Sequence, residues 1–87
     1  MAEYAVTFSR SARKELEKFP AQLVERIFPK IESLALQPRP AGCKKLKGAQ
    51  NLWRIRIGDY RVVYSVNDSS RTVDVTAVRH RSEAYRD

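Results

Sequence analysis

The segment Leu52-Trp-Arg-Ile-Arg-Ile-Gly-Asp-Tyr-Arg-Val-Val-Tyr-Ser-Val66 carries the strongest structural signal in this 87-residue chain. Apolar and polar residues alternate with period 2 on both sides of Gly58-Asp59, as in two strands joined by a tight turn. A two-residue loop with glycine first favours a type II′ turn. That turn sets the register of the strands and places Arg56 directly opposite Arg61. The segment therefore predicts an antiparallel hairpin at the centre of a sheet.

The predicted register gives the hairpin two chemically different faces. One face is apolar and aromatic, and we expect it to be buried: Trp53, Ile55, Ile57, Tyr60, Val62 and Tyr64. The other face carries Arg54, Arg56 and Arg61, with no acidic residue between them within either strand. Like charges opposed across a strand pair cost about 0.2–1 kcal/mol. This arginine face is predicted to stay open and to bind phosphate groups, although a solvated face that prevents aggregation would show the same pattern.

Two amphipathic helices are predicted before the hairpin. Ser9 can cap the first helix, and Pro20 ends it and can open the second at its first position. The apolar stripe of the second helix runs from Leu23 to Ala35. The remaining strands are predicted at 4–8, 43–47 and 72–78.

In the last strand, Val73, Val75 and Ala77 are expected on the core side, with Val75 opposite Val62. The elements together predict an α+β fold, in which two N-terminal helices pack on one face of a small, mostly antiparallel twisted sheet. We expect a single domain spanning residues 1–87.

Composition favours an anionic partner. The formal net charge is +7, and between Cys43 and Tyr64 six Lys or Arg residues accompany one acidic residue. A single cysteine excludes an internal disulfide framework and indicates a reducing compartment. The chain has no apolar run long enough to cross a membrane and no signal peptide, so we expect a cytoplasmic protein.

Several basic and aromatic residues outside the arginine face are candidates for RNA binding. They are Lys44, Lys45, Lys47, Arg79 and His80. Lysine runs are often only solvated, and His80 lacks a second histidine or a nearby acid for catalysis. Tyr85 lies in the polar tail, where it can stack on a base or pack against the sheet.

No motif in the sequence predicts a metal site, a cofactor or a side-chain nucleophile. A phosphodiester cut without a metal requires the 2′-OH of the strand itself as nucleophile, which restricts the substrate to RNA. The protein must then supply a base, cations for the charge that builds on phosphate, and an acid for the leaving oxygen.

Several motifs along the chain coincide with one known family. They are Phe8-Ser-Arg-Ser-Ala12, Lys45-Leu-Lys-Gly48, Trp53-Arg-Ile-Arg-Ile-Gly-Asp-Tyr-Arg-Val-Val-Tyr64, His80-Arg81 and Tyr85-Arg86. Together they resemble the RelE family of bacterial toxins, within the RelE/ParE superfamily. The resemblance implies a metal-independent, ribosome-dependent endoribonuclease that cleaves mRNA in the A site and inhibits translation.

The resemblance also implies site roles. Arg54 and Arg56 match positions tied to activating the 2′-OH, and Arg61 matches the residue that stabilises the phosphate. Arg81 matches the proposed acid, for which Arg79 is an alternative, and Tyr85 matches the tyrosine that stacks on the substrate base. Because arginine is a poor general base, charge stabilisation suits Arg54 and Arg56 better than proton abstraction.

The partners implied are a RelB-like antitoxin, in a toxin–antitoxin hetero-oligomer, together with the ribosome and mRNA. Two other functions fit the same pattern. One is a ParE-like inhibitor of DNA gyrase, and the other is an RNA-binding module without catalysis.

Overall fold

The computed structural model describes residues 3–48, 51–80 and 82. Their elements are, in order, β1 (Ala5–Phe8), α1 (Arg10–Glu17), α2 (Ala21–Glu32), a 3₁₀ helix (Ser33–Ala35), β2 (Lys44–Lys45), β3 (Leu52–Ile57), β4 (Tyr60–Asn67) and β5 (Thr72–His80). The strands form one sheet in the order β1-β5-β4-β3-β2. Only the β1–β5 pairing is parallel. The predicted α+β architecture is confirmed.

The central hairpin has the predicted register. Ile57 lies opposite Tyr60, Arg56 opposite Arg61, and the pairing continues through β3 and β4. Gly58 has φ = +60°, a backbone conformation that glycine adopts readily and other residues rarely do. The turn chemistry therefore fixes which residues share each face of the hairpin.

The predicted register of the last strand is wrong. A β-bulge shifts the pairing beside Tyr64, so that Val62 lies opposite Val78 and Tyr64 lies opposite Val75. As a result Val78, and not Ala77, continues the buried side of β5. Strict alternation cannot reveal a bulge, because the extra residue reverses the faces from that point onward.

The core lies between the helices and one face of the sheet. Its fully buried helical residues include Ala12, Ile27, Ile31 and Leu34. The Ser9 side chain caps α1 by accepting a hydrogen bond from the backbone N–H of Ala12. Pro20 is the N-cap of α2, one position earlier than predicted. The apolar sides of both helices thus cover the valine-rich face and leave the arginine face on the other side of the sheet.

Helix α1 also covers part of the edge of β5. The backbone N–H of Ser9 and its hydroxyl donate to the carbonyl oxygens of Val75 and Thr76, at 2.9 and 3.2 Å. Further along, Glu15 Oε1 accepts a hydrogen bond from the backbone N–H of Val78 at 2.9 Å. An edge that would otherwise offer free hydrogen-bonding groups is therefore satisfied by the helix. In the described part of the chain, no helix has the length and apolarity needed to cross a membrane.

Candidate anion-binding site

A cavity of about 220 Å³ lies on the face of the sheet that the helices leave uncovered. Its lining residues are Gly42, Lys44, Arg54, Arg56 and Arg61. Of these five described residues four carry a positive charge, and none is acidic. The cavity is therefore suited to an anion, and the planar guanidinium groups match the geometry of phosphate oxygens.

Strand register brings these cations together. Lys44 of β2 lies opposite Arg54 of β3, and Arg56 of β3 lies opposite Arg61 of β4. The next strand places Arg79 opposite Arg61. Since alternate residues of a strand share a face, neighbouring strands contribute to one basic surface.

Arg61 differs from the prediction of a fully open face. Only 5% of its surface is exposed, whereas Arg54 is half-buried and Arg56 is exposed. Low solvent exposure reduces screening, so an anion that reaches Arg61 interacts with it more strongly than with a surface arginine.

The three lysines predicted to bind RNA do not lie together in the structure. Lys44 lines the cavity, whereas Lys45 lies opposite Trp53 and points to the other side of the sheet. Lys47 follows β2 and is exposed. Only Lys44 of the three is therefore placed beside the arginines that line the cavity.

His80 is not brought into the cavity. It pairs with Tyr60, and the two rings meet edge to face with centroids 5.2 Å apart. Tyr60 in turn packs against Phe19, which follows α1, so His80 lies on the helical side of the sheet. Its Nδ1 lies 2.9 Å from the hydroxyl of Ser82.

The backbone of Arg79 lies opposite Arg61, but its side chain turns to the edge of the sheet. Its Nε lies 3.1 Å from Glu15 Oε2, the second oxygen of the carboxylate that holds β5. Arg79 and His80 line a separate cavity of about 280 Å³ next to α1. Two other predicted site residues, Arg81 and Tyr85, lie outside the described residues, and their roles stay predictions.

Sequence reasoning missed a cluster around Arg39, which lies in the segment that leads to Gly42 of the cavity. The Arg39 guanidinium makes two hydrogen bonds to Asp68, at 3.0 and 3.3 Å, and its Cζ lies 5.1 Å from the centroid of the Trp53 ring. The Tyr4 hydroxyl donates to Asp68 Oδ1 at 2.6 Å. Arg39 stands between two prolines, and this pattern indicated only the end of the helical half.

The electrostatics of this cluster follow from its hydrogen bonds. Donation by Arg39 and by Tyr4 lowers the pKa of Asp68. The same contacts with Asp68 raise the pKa of both donors. The buried Tyr64 hydroxyl donates to the carbonyl oxygen of Pro38 at 2.8 Å, and burial raises the pKa of Tyr64.

Comparison with known proteins gives the family of the chain. The profile described as ParE toxin of type II toxin-antitoxin system, parDE, matches residues 6–85. Toxin RelE3 of Methanocaldococcus jannaschii is 34% identical over 84 residues, covering 92% of this chain and 93% of that protein. This chain belongs to the RelE family of the RelE/ParE toxin superfamily. The predicted resemblance is confirmed.

Other relatives of this RelE-family toxin agree in sequence and in fold. The mRNA interferase toxin RelE of Escherichia coli is 33% identical over 86 residues, covering 94% of this chain and 90% of that protein. The archaeal RelE–RelB complex from Pyrococcus horikoshii contains a chain that is 30% identical, with a TM-score of 0.79 and coverages of 93% and 97%. The isolated E. coli RelE toxin is 31% identical, with a TM-score of 0.78 and coverages of 94% and 90%.

Proposed function

We propose that this RelE-family toxin is a ribosome-dependent endoribonuclease that cleaves mRNA in the A site and so inhibits translation. The observation that carries the proposal is the cavity in which Arg54, Arg56 and Arg61 meet Lys44. A relative with 33% identity is named an mRNA interferase. The proposal assigns the same reaction class to this chain.

The chemistry follows from the charges that line the cavity. The 2′-OH gives its proton to water as it attacks the adjacent phosphorus, and the bond to the 5′-oxygen breaks. That oxygen takes a proton from the acid, which leaves a 2′,3′-cyclic phosphate and a 5′-hydroxyl. Negative charge builds on the phosphate oxygens during this step, and preorganised cations stabilise it. Arg61 is assigned to the phosphate because it is the most buried of the cavity arginines. Arg54 and Arg56 are assigned to the attacking oxygen and its surroundings.

The reaction is proposed to proceed without a metal ion. Among the described residues, the cavity is lined by cations and a glycine, which repel a divalent cation and offer it no carboxylate or imidazole ligand. The described lining residues also include no carboxylate or histidine that could act as a base. Because the described part of the site has no strong base, the ribosome is proposed to be needed to orient the mRNA for attack by the 2′-OH.

The remaining roles concern the tail of the chain. Arg81 is proposed as the acid for the leaving oxygen, and Tyr85 is proposed to stack on the substrate base. Arg79 is the other candidate acid, but its ion pair with Glu15 favours Arg81.

The partner is proposed to be a RelB-like antitoxin that joins this chain in a hetero-oligomer. Solved relatives from P. horikoshii and E. coli are RelE–RelB complexes. An acidic or amphipathic antitoxin segment would complement the basic face of a chain with net charge +7. The site of action is proposed to be the cytoplasm, where translation takes place.

Brief expression of the toxin without an antitoxin, followed by mapping of mRNA 5′ ends, tests the proposal. We expect new ends inside translated codons, and none in cells that express Arg61→Ala at the same level. The ParE description of the matching profile keeps gyrase inhibition as the competing function. Growth arrest with DNA damage and intact mRNA would favour that competitor, and RNA binding without new ends would favour a non-catalytic module.

A further inference from the structure

Arg39 connects three parts of the chain that are far apart in sequence. It belongs to segment 38–42, which leads from the helical half to β2. Its guanidinium binds Asp68 in the loop between β4 and β5 and covers the ring of Trp53 in β3. The two contacts join the segment to the β4–β5 loop and to β3. The Tyr4 hydroxyl also donates to Asp68.

The same segment reaches the arginine-lined cavity at its last residue. Gly42 ends it and Lys44 follows two residues later, and both line the cavity. The chain from Pro38 to Cys43 is restrained at several points. The carbonyl of Pro38 accepts a hydrogen bond from Tyr64, the N–H of Cys43 donates to the carbonyl of Pro40, and Gly42 has φ = +90°.

The pairing of strand β2 holds Lys44 in place only weakly. It is two residues long, and among the described strands it pairs only with β3. Such a short edge strand contributes few ladder hydrogen bonds. Moreover, Lys44 lies directly opposite Arg54, and like charges in that arrangement push the strands apart. We therefore expect contacts outside the strand to help hold this cation at the cavity.

We propose that Arg39 is a positioning residue of the anion cavity, clamped between Asp68 and Trp53 so that Lys44 stays beside Arg54. The proposal rests on the proposed function, because it requires that the cavity binds phosphate. Arginine suits the task because one planar group makes two hydrogen bonds to a carboxylate while its face stacks on an aromatic ring. Lysine offers a point charge and cannot reproduce both contacts.

The test uses the purified full-length chain and inorganic pyrophosphate, with affinity measured by isothermal titration calorimetry. Lys44→Gln removes one charged contact and should weaken binding about tenfold. Arg39→Gln should weaken it to a similar extent, and Arg39→Lys should not restore it. Arg10→Gln is the matched control, because it removes the same charge from an exposed position on α1 and should leave affinity within about twofold of wild type.

The double variant separates positioning from a general loss of charge or stability. If Arg39 acts through Lys44, Arg39→Gln should change affinity less than about twofold in the Lys44→Gln background. Equal losses in both backgrounds would overturn the proposal. Thermal unfolding checks that each variant is folded, and Asp68→Asn gives a second route to the same effect by removing the partner of Arg39.

The outcomes also separate this proposal from the proposed function. Normal binding of pyrophosphate by wild type with no loss in Arg39→Gln would overturn the role of Arg39 and leave the nuclease proposal standing. If the wild type does not bind pyrophosphate, and Arg61→Gln gives the same result, both the proposal that the cavity binds phosphate and the positioning role of Arg39 would be overturned.

Discussion

Replacing Arg56 with glutamine should stabilise the folded protein while it abolishes cleavage. Arg56 lies opposite Arg61, which in turn lies opposite Arg79, so three arginines follow one another across three strands. Arg61 is 5% exposed and cannot move its charge into water. Arg56 and Arg79 are both exposed, but Arg79 is paired with Glu15, so Arg56 is the member of this row to neutralise.

The size of the effect follows from the pairing. A like-charge pair directly across two strands costs about 0.2–1 kcal/mol, and removing the Arg56–Arg61 pair should recover about 0.5 kcal/mol. For a domain of fewer than 100 residues, 1 kcal/mol corresponds to about 4–8 °C in Tm. Arg56→Gln should therefore raise Tm by about 2–4 °C at low salt.

Thermal unfolding followed by circular dichroism measures this change. In about 1 M NaCl the Debye length falls to about 3 Å, and the difference between variant and wild type should shrink. Lys45→Gln is the matched control, because Lys45 is exposed in the neighbouring strand and lies opposite Trp53 rather than a cation. A Tm for Arg56→Gln that equals or falls below that of wild type at low salt would refute the reasoning about charge crowding.

Three further predictions concern single residues. Arg61→Lys keeps the charge but loses the planar guanidinium that binds two phosphate oxygens. Cleavage in a ribosome-based assay should therefore fall by about 10²-fold or more, with the amount of folded protein unchanged. Near-normal cleavage would contradict the phosphate role of Arg61. Tyr64→Phe should cost about 1 kcal/mol in urea unfolding, because the bond to the carbonyl of Pro38 is lost. Since the pKa of Tyr64 is raised in the folded state, wild-type stability should decline as pH rises above about 10, and a decline equally steep in the variant would contradict this assignment. Because the pKa of Asp68 is lowered in the folded state, its contribution to stability is present at neutral pH and is lost as pH falls through the folded pKa. Asp68→Asn should therefore show a weaker loss of stability on acidification than wild type, and parallel acid transitions would show that Asp68 does not take part.

Local features of the amino-acid order were enough to define the hairpin, its faces and the helices. Gly58 sets the turn, and alternation then determines which side chains lie together, because both are properties of neighbouring residues. The Ser9 cap and the helical stripe are likewise read from short spacings. The gathering of Arg54, Arg56 and Arg61 followed directly from this local information.

Packing between distant segments decided the rest. The bulge beside Tyr64 changes which valines of β5 are buried, and no local signal marks it. Glu15 reaches Arg79 across 64 positions, and Arg39 reaches Asp68 across 29, so these partners are chosen by how α1 and segment 38–42 lie on the sheet. The burial of Arg61 depends on the same arrangement. Periodicity specifies faces, but the neighbours that meet on a face depend on tertiary contacts that no local pattern contains.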